Sequence, residues 1–197
     1  MHIPANMNQT AVNNAAGRFH IITGGPGSGK SSVIAALRER GFSSAPEAGR
    51  AIIQDQVAIG GHALPWSDPM LFAELMLCWD IRSYHHAEGH DASVFFDRGI
   101  PDVLGYLRLS NIPVPDHMSK AANLFPYNQT VFVAPPWKEI FRQDRERKQD
   151  FNEAQRTYDA LVSVYSNLSY DLVKLPCLGV EERCQFILAH PSVNSNG

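Results

Sequence analysis

The sequence predicts an α/β domain built on a five-stranded parallel sheet with helices on both faces. Three observations carry that expectation. Short apolar runs alternate with segments of helical periodicity from Arg18 to Leu188, the pattern of strand–helix–strand crossovers. The first apolar run, FHIIT, leads directly into GGPGSGKSS and then VIAALRER, which reads as strand, glycine-rich bend and helix. Other candidate polar residues, Glu47, Asp97 and Arg98, stand at the ends of later apolar runs. Ligands of open parallel sheets sit beyond the carboxyl ends of the strands, so this placement gathers the candidates at one rim.

The run over 18–23 ends in glycines and has the profile of a buried parallel strand. Val33, Ile34 and Leu37 then keep helical spacing over 30–40, until Gly41 stops the helix. FSSAPE is a weak second strand that delivers Glu47 at its end. A helix over 48–59 places Ile52, Ile53, Gln56 and Val57 in register and breaks at Gly60 and Gly61. After a loop through Pro65, Asp68 caps a long helix over 69–86. SVFFD is the clearest strand and ends at Asp97. Helices over 101–109 and 116–124 follow, then QTVFVA as the fourth strand, closed by Pro135 and Pro136. Helices over 137–147 and 152–168 are expected next, with a break near Asp150. YDLVKLP is the fifth strand, and a helix over 180–188 completes the pattern. One domain is expected over 18–189, with 1–17 and 190–197 as flexible tails that lack apolar periodicity.

Bulk properties exclude several classes. At 197 residues with 44% hydrophobic content, the chain suits one compact domain with a sizeable core. No apolar run approaches the ~20 residues that span a bilayer, and the N-terminus lacks a secretory pattern. A cytoplasmic protein without a transmembrane segment is therefore expected. A net charge of −3 argues against a broad nucleic-acid-binding surface, and no nucleic-acid partner is expected. Cys78, Cys177 and Cys184 are odd in number and lack metal-ligand spacing, which fits reduced thiols rather than a disulfide frame. His85, His86, His90 and Asp91 cluster in sequence, but adjacent histidines point to different helix faces, and the group reads as a solvated loop.

Gly24, Gly29, Lys30 and Ser31 satisfy the G-x-x-x-x-G-K-[ST] pattern of a phosphate-binding loop, in the strand-to-helix context that pattern requires. Glycines let consecutive backbone N–H groups turn inward on a polyphosphate, and the new helix adds the positive end of its dipole. Gly25, Gly27, Ser28, Gly29, Lys30, Ser31 and Ser32 are the expected binding residues for a nucleoside triphosphate, ATP or GTP. Lys30 is expected at the β- and γ-phosphates and Ser31 as a ligand of Mg2+, with Ser32 as the second available hydroxyl.

VFFDRG resembles the Walker B arrangement, an apolar strand ending in an acid near the metal. Asp97 is expected to hold Mg2+, directly or through water, or to orient an attacking group; capping the following helix is the competing reading. Arg98 suits a clamp on a substrate phosphate or carboxylate, with a surface ion pair as its alternative. In PEAGR, Glu47 is placed to take a proton from a substrate hydroxyl, or to serve only as an acid at a helix N-terminus. Arg50, further into the same helix, is a candidate for the acceptor's own charge. Whether Glu47 or Asp97 is the base stays open.

The segment Gly24 to Ser31, PEAGR, VFFDRG, the arginine-laden 142–148 and the closing LVKLP and VEERCQFIL together resemble the P-loop family called AAA domain type 28. The likeness runs over nearly all of 18–188. That family includes ATPases or kinases similar to the ribosylnicotinamide kinase domain of a bacterial NAD-biosynthesis regulator. The resemblance implies a P-loop NTPase fold in the style of nucleoside-monophosphate kinases. Carried over from related kinases, it implies a base at Glu47 and a substrate contact at Arg98. Small P-loop kinases also close an arginine-bearing lid over the transferred phosphate. A lid over about 137–151 is therefore expected, with Arg142, Arg145, Arg147 and Lys148 as its cations and Arg145 foremost. Asp144 and Glu146 interleave with them, so a solvated helix with intrahelical ion pairs is the competing reading.

The favoured activity is transfer of a γ-phosphoryl group from ATP or GTP, with Mg2+, to a hydroxyl or phosphate of a small-molecule acceptor. The alternative is a nucleotide-binding switch with slow hydrolysis and a protein or lipid partner. A switch of that kind would lack a formed acceptor pocket. The loop over 60–65 and the helices between the second and third strands are expected to build such a pocket. Trp66 and Trp137 are candidate faces for a flat ligand, with core or rim packing as the plainer reading.

Overall fold

The computed structural model describes residues 16–141 and 150–194. Five strands, β1 (Phe19–Gly24), β2 (Ser43–Ala45), β3 (Val94–Asp97), β4 (Thr130–Ala134) and β5 (Asp171–Lys174), form one sheet in the order β2-β3-β1-β4-β5. Every pairing is parallel, with Ile22 beside Asp97, Ala45 beside Phe96, and Gly24 beside Ala134. The fold is thus the nucleoside-monophosphate-kinase-like P-loop α/β architecture. Because β3 lies between β2 and β1, residues that are distant in sequence leave the sheet side by side.

Between the strands run α1 (Lys30–Glu39), α2 (Ala48–Ile59), α3 (Pro69–Ala87), α4 (Ile100–Leu109), α5 (Asp116–Leu124) and α6 (Phe151–Asn167), and after β5 come α7 (Val180–Leu188) and the single-turn α8 (Pro191–Asn194). Strand alternation divides the core. Phe19 and Ile21 of β1 face one side, where they pack with Leu77, Val103, Leu107 and Tyr165 from α3, α4 and α6. Ile22, with Phe95 and Phe132, faces the other side and meets Val33, Leu37, Cys184 and Ile187 of α1 and α7. Residues of central parallel strands are covered on both faces, which is why β1, β3 and β4 read as mostly apolar runs. Asp68 caps α3 as expected, its side chain accepting from the Leu71 amide at 2.9 Å. No helix among the described residues is long and apolar enough to cross a membrane.

Two expectations need correction. The described start of the helix over 137–147 is only a turn at 138–140, where the Phe141 amide donates to the carbonyls of Trp137 and Lys138 at 3.1 and 3.3 Å. Tertiary contact overrides propensity there. Phe141 sits against Gly27 and edge-on to Phe151 with ring centroids 5.5 Å apart, while Ile140 lies against Gly29. The remainder of that helix, 142–149, lies outside the described residues. At the other end, residues 190–194 do not form a tail. Val193 of α8 is 8% exposed and joins the second core, and His190 packs edge-on against Phe132.

Candidate active site

The bend after β1 is held open by backbone geometry that side chains would forbid. Gly27 and Gly29 sit at φ 69° and 80°, in the left-handed region. Gly25 answers a different demand: a methyl there would lie 2.3 Å from the Ala154 carbonyl oxygen of α6. Helix α1 begins at Gly29 with no side-chain cap, so its first amides are left for a ligand. Lys30 is 6% exposed and curls back over the bend, donating to the carbonyls of Gly24 (3.0 Å) and Gly25 (2.8 Å) and to Ser28 Oγ (3.2 Å). Ser28 in turn donates to the Gly25 carbonyl at 2.8 Å. From the far side, the buried Arg183 of α7 donates through Nη1 to the Ser28 carbonyl at 3.0 Å.

Ser31 Oγ donates to Asp97 Oδ2 at 3.3 Å, joining the start of α1 to the end of β3. Asp97 is 7% exposed, and its Oδ1 is a buried oxygen with no hydrogen-bond partner among the described residues. Burial raises the Asp97 pKa and nearby Glu47 adds to this, while Lys30, Arg98 and the Ser31 hydroxyl oppose it. A hydroxyl beside a carboxylate with an orphaned oxygen is a donor set that fits a hard divalent cation such as Mg2+. Ser32, one position on, is exposed and takes no part in these contacts.

Next to Asp97, Arg98 is the centre of a buried polar hub. It donates through Nε to Glu47 Oε1 and through Nη1 to Asp102 Oδ1, each at 3.0 Å. Burial works against its charge, but Glu47, Asp102 and Asp97 outweigh that effect and hold the guanidinium firmly protonated. Asp102 lies one helical turn later on α4 and accepts four hydrogen bonds. Thr23 Oγ1 and Arg98 reach Oδ1 at 2.5 and 3.0 Å, and Tyr165 Oη and the Gly99 amide reach Oδ2 at 2.5 and 3.1 Å. These bonds tie β1, α4 and α6 together directly behind the phosphate loop.

A cleft of about 1460 Å³ opens from this hub. Glu47, Asp80, Arg98 and Asp102 stand on its polar wall; Ile53, Val57, Trp66, Phe72, Met76 and Tyr106 give it an apolar one. Its walls come from α2, α3, α4, α6 and the loop after α2, so the helices between β2 and β3 do build a pocket as the sequence indicated. Trp66 is 64% exposed at this cleft. Arg50 is exposed and is not among the residues that line it.

The structure therefore brings Lys30, Ser31, Glu47, Asp97 and Arg98 together and leaves Ser32 and Arg50 aside. Arg142, Arg145, Arg147 and Lys148 lie outside the described residues. Sequence reasoning missed Asp80, Asp102, Tyr165 and Arg183. For Asp102 the available signal was an acid four residues after Arg98, and for Asp80 an acid that follows the apolar run LMLCW within α3.

A strand, a glycine-rich bend with a buried lysine, and a helix whose first turn is uncapped define a P-loop nucleotide-binding protein. The chain belongs to an AAA domain family, type 28, whose model matches residues 19–183. No curated protein sequence matches it. Among solved structures it is similar to deoxyadenosine kinase from M. mycoides, with a TM-score of 0.61 and 16% identity over 90% of this chain and 99% of that one. Thymidylate kinase from Ehrlichia chaffeensis matches with a TM-score of 0.58 and 14% identity, covering 88% and 97% of the two chains. Shikimate kinase from Aquifex aeolicus matches with a TM-score of 0.51 and 16% identity, covering 91% and 99%. At these identities the likeness is one of fold.

Proposed function

We propose that this protein is a small-molecule kinase that transfers the γ-phosphoryl group of ATP or GTP to an acceptor bound in the cleft beside Arg98. One observation carries the reading. The phosphate loop, the Ser31–Asp97 pair and the carboxylate of Glu47 stand on three adjacent strand ends, and Pro26 of that loop, Glu47 and Arg98 line one formed cleft beside them. The structural neighbours act as kinases on acceptors as different as a nucleoside, a nucleotide and shikimate, which supports the reaction class without specifying the acceptor. A formed cleft also favours this reading over a nucleotide switch.

In this reading Lys30 leaves the carbonyls of Gly24 and Gly25 for the donor's phosphates, and the amides from Gly25 to Ser31 hold the polyphosphate. Ser31 and Asp97 would hold Mg2+, which when bound neutralises charge on the β- and γ-phosphoryl oxygens. Glu47, oriented by its bond from Arg98, takes the proton of the acceptor hydroxyl. Arg145 keeps the assignment that sequence gives it, neutralising charge on the transferred group.

The test is acceptor-stimulated release of ADP or GDP across a panel of nucleosides, nucleotides, sugars and small acids. The K30A variant is expected to lose donor binding, and E47Q to bind the donor normally while transfer falls about a hundredfold or more. Transfer by E47Q at the wild-type rate would remove Glu47 as base. Nucleotide turnover that no acceptor stimulates would favour the switch.

A further inference from the structure

Asp80 is a carboxyl group that the phosphoryl-transfer machinery does not use. It lies in the middle of α3, is 9% exposed, and lines the cleft floor. Among the described residues it makes no hydrogen bond. Burial first, then the neighbouring Asp102 and Glu47, raise its pKa well above the ordinary carboxylate value; Arg98 opposes them. A carboxyl group that is protonated there offers one O–H donor and one acceptor to whatever fills the cleft. Buried polar groups without a partner are rare, so one that faces a cleft points to a ligand that completes it.

The surroundings restrict that ligand. Three carboxyl groups, of Glu47, Asp80 and Asp102, line this end of the cleft, and the Arg98 charge between them is already matched by two of the three. A phosphate or carboxylate placed there would meet repulsion from these acids, with the Arg98 charge already engaged. Arg108 and Arg156 also line the cleft, but from exposed positions where solvent screens them. On the same helix faces as Asp80 and Asp102, four or eight residues along, lie Phe72, Met76 and Tyr106, with the Phe72 and Tyr106 rings edge-on and their centroids 5.3 Å apart. Such a wall suits an apolar or flat body.

We propose that the acceptor carries no phosphate or carboxylate, that its hydroxyl groups hydrogen-bond to Asp80, and that its flat or apolar body lies against Phe72, Met76 and Tyr106. This rests on the reading of the cleft as the acceptor site of a kinase. Among acceptors of the neighbouring folds, it selects the chemistry of an unphosphorylated nucleoside over that of a nucleoside monophosphate or a carboxylated polyol. Asp80 is then a specificity-determining residue.

The experiment is calorimetry on the full chain, saturated with a non-hydrolysable ATP analogue. It uses matched pairs, deoxyadenosine with deoxyadenosine 5′-monophosphate and thymidine with thymidine 5′-monophosphate, together with shikimate. At least one nucleoside is expected to bind about tenfold or more tightly than its monophosphate, with shikimate not bound. The D80L variant should lose about tenfold or more of that nucleoside affinity, and D80N, which keeps a donor and an acceptor, should retain most of it. A monophosphate that binds as tightly as its nucleoside, no binding by either nucleoside, or D80L at wild-type affinity would each overturn the inference. The wild-type pairs decide the matter even if D80L does not fold. A nucleoside that binds without stimulating ADP release sinks the kinase reading alone; preferential phosphorylation of thymidine 5′-monophosphate sinks this inference alone.

Discussion

Arg98 holds a backbone conformation that side chains avoid, with φ at 75°, a position that costs about 1–3 kcal/mol. Its amide donates to the Ile22 carbonyl at 3.1 Å, and its side chain bridges Glu47 and Asp102. Those contacts over-determine the strained residue. The hub predicts its own fragility: D102A strips partners from Thr23, Tyr165 and Arg98 at once. Removing one member of a buried ionic network costs about 3–5 kcal/mol, and urea denaturation should read a loss of that size. A loss below about 1 kcal/mol would mean that water replaces the carboxylate, as at a surface pair. At this scale the sequence was legible only where chemistry coincides with a strand end. Lys30, Ser31, Glu47, Asp97 and Arg98 announce themselves by following apolar runs. Asp102 and Asp80 do not, because a buried acid on a helix is indistinguishable from a solvated one until the helix is packed. Arg50 shows the converse: one turn into α2 from Glu47, it is exposed and outside the cleft lining.

At the scale of elements, the bend after β1 depends on the helix that abuts it. Gly25 touches the Ala154 carbonyl of α6, and backbone cannot give way as a side-chain tip can. G25A is therefore expected to push the bend and α6 apart and weaken donor binding about tenfold or more, as measured by titration with the Mg2+ complex of ATP. Gly41, at φ 89° with nothing within 4 Å of an added methyl, supplies the comparison. G41A should lower stability by about 1 kcal/mol through backbone strain alone and leave donor affinity unchanged. Equal affinity in G25A and G41A would show that α6 yields. Most elements could be read from sequence for a local reason: strands covered on both faces are mostly apolar, and helices α1, α2 and α3 end at glycines or start at a capping acid. The failure over 137–147 has a non-local cause. Phe141 and Ile140 are placed by the phosphate loop and by Phe151, contacts that no periodicity within the segment encodes.

Across the whole molecule, the second core contains a group whose titration should be visible in stability. His20 alternates with Ile21 on β1, is fully buried, and has neither ring nitrogen hydrogen-bonded among the described residues. It lies against Phe95 with ring centroids 5.4 Å apart. Burial, assisted by His190, lowers its pKa from 6.5 to about 4. The folded state therefore resists a proton that the unfolded chain accepts. Its stabilising effect is complete above pH 6.5 and is lost progressively as the pH falls to about 4. The total is about 3 kcal/mol, because each tenfold difference in proton affinity between the folded and unfolded chain is worth about 1.4 kcal/mol. Asp80 acts in the opposite sense, since a carboxyl whose pKa is raised on folding contributes least at high pH. The clean measurement is thus a difference: urea unfolding free energies at about pH 7 and about pH 4.5 for the wild-type protein and for H20L. The variant should lose less stability than the wild type between the two pH values, by about 2 kcal/mol or more. Identical pH dependence in the two proteins would mean that the His20 ring acquires a hydrogen-bond partner or water that keeps its basicity ordinary, and that the second core is wetter than its packing indicates.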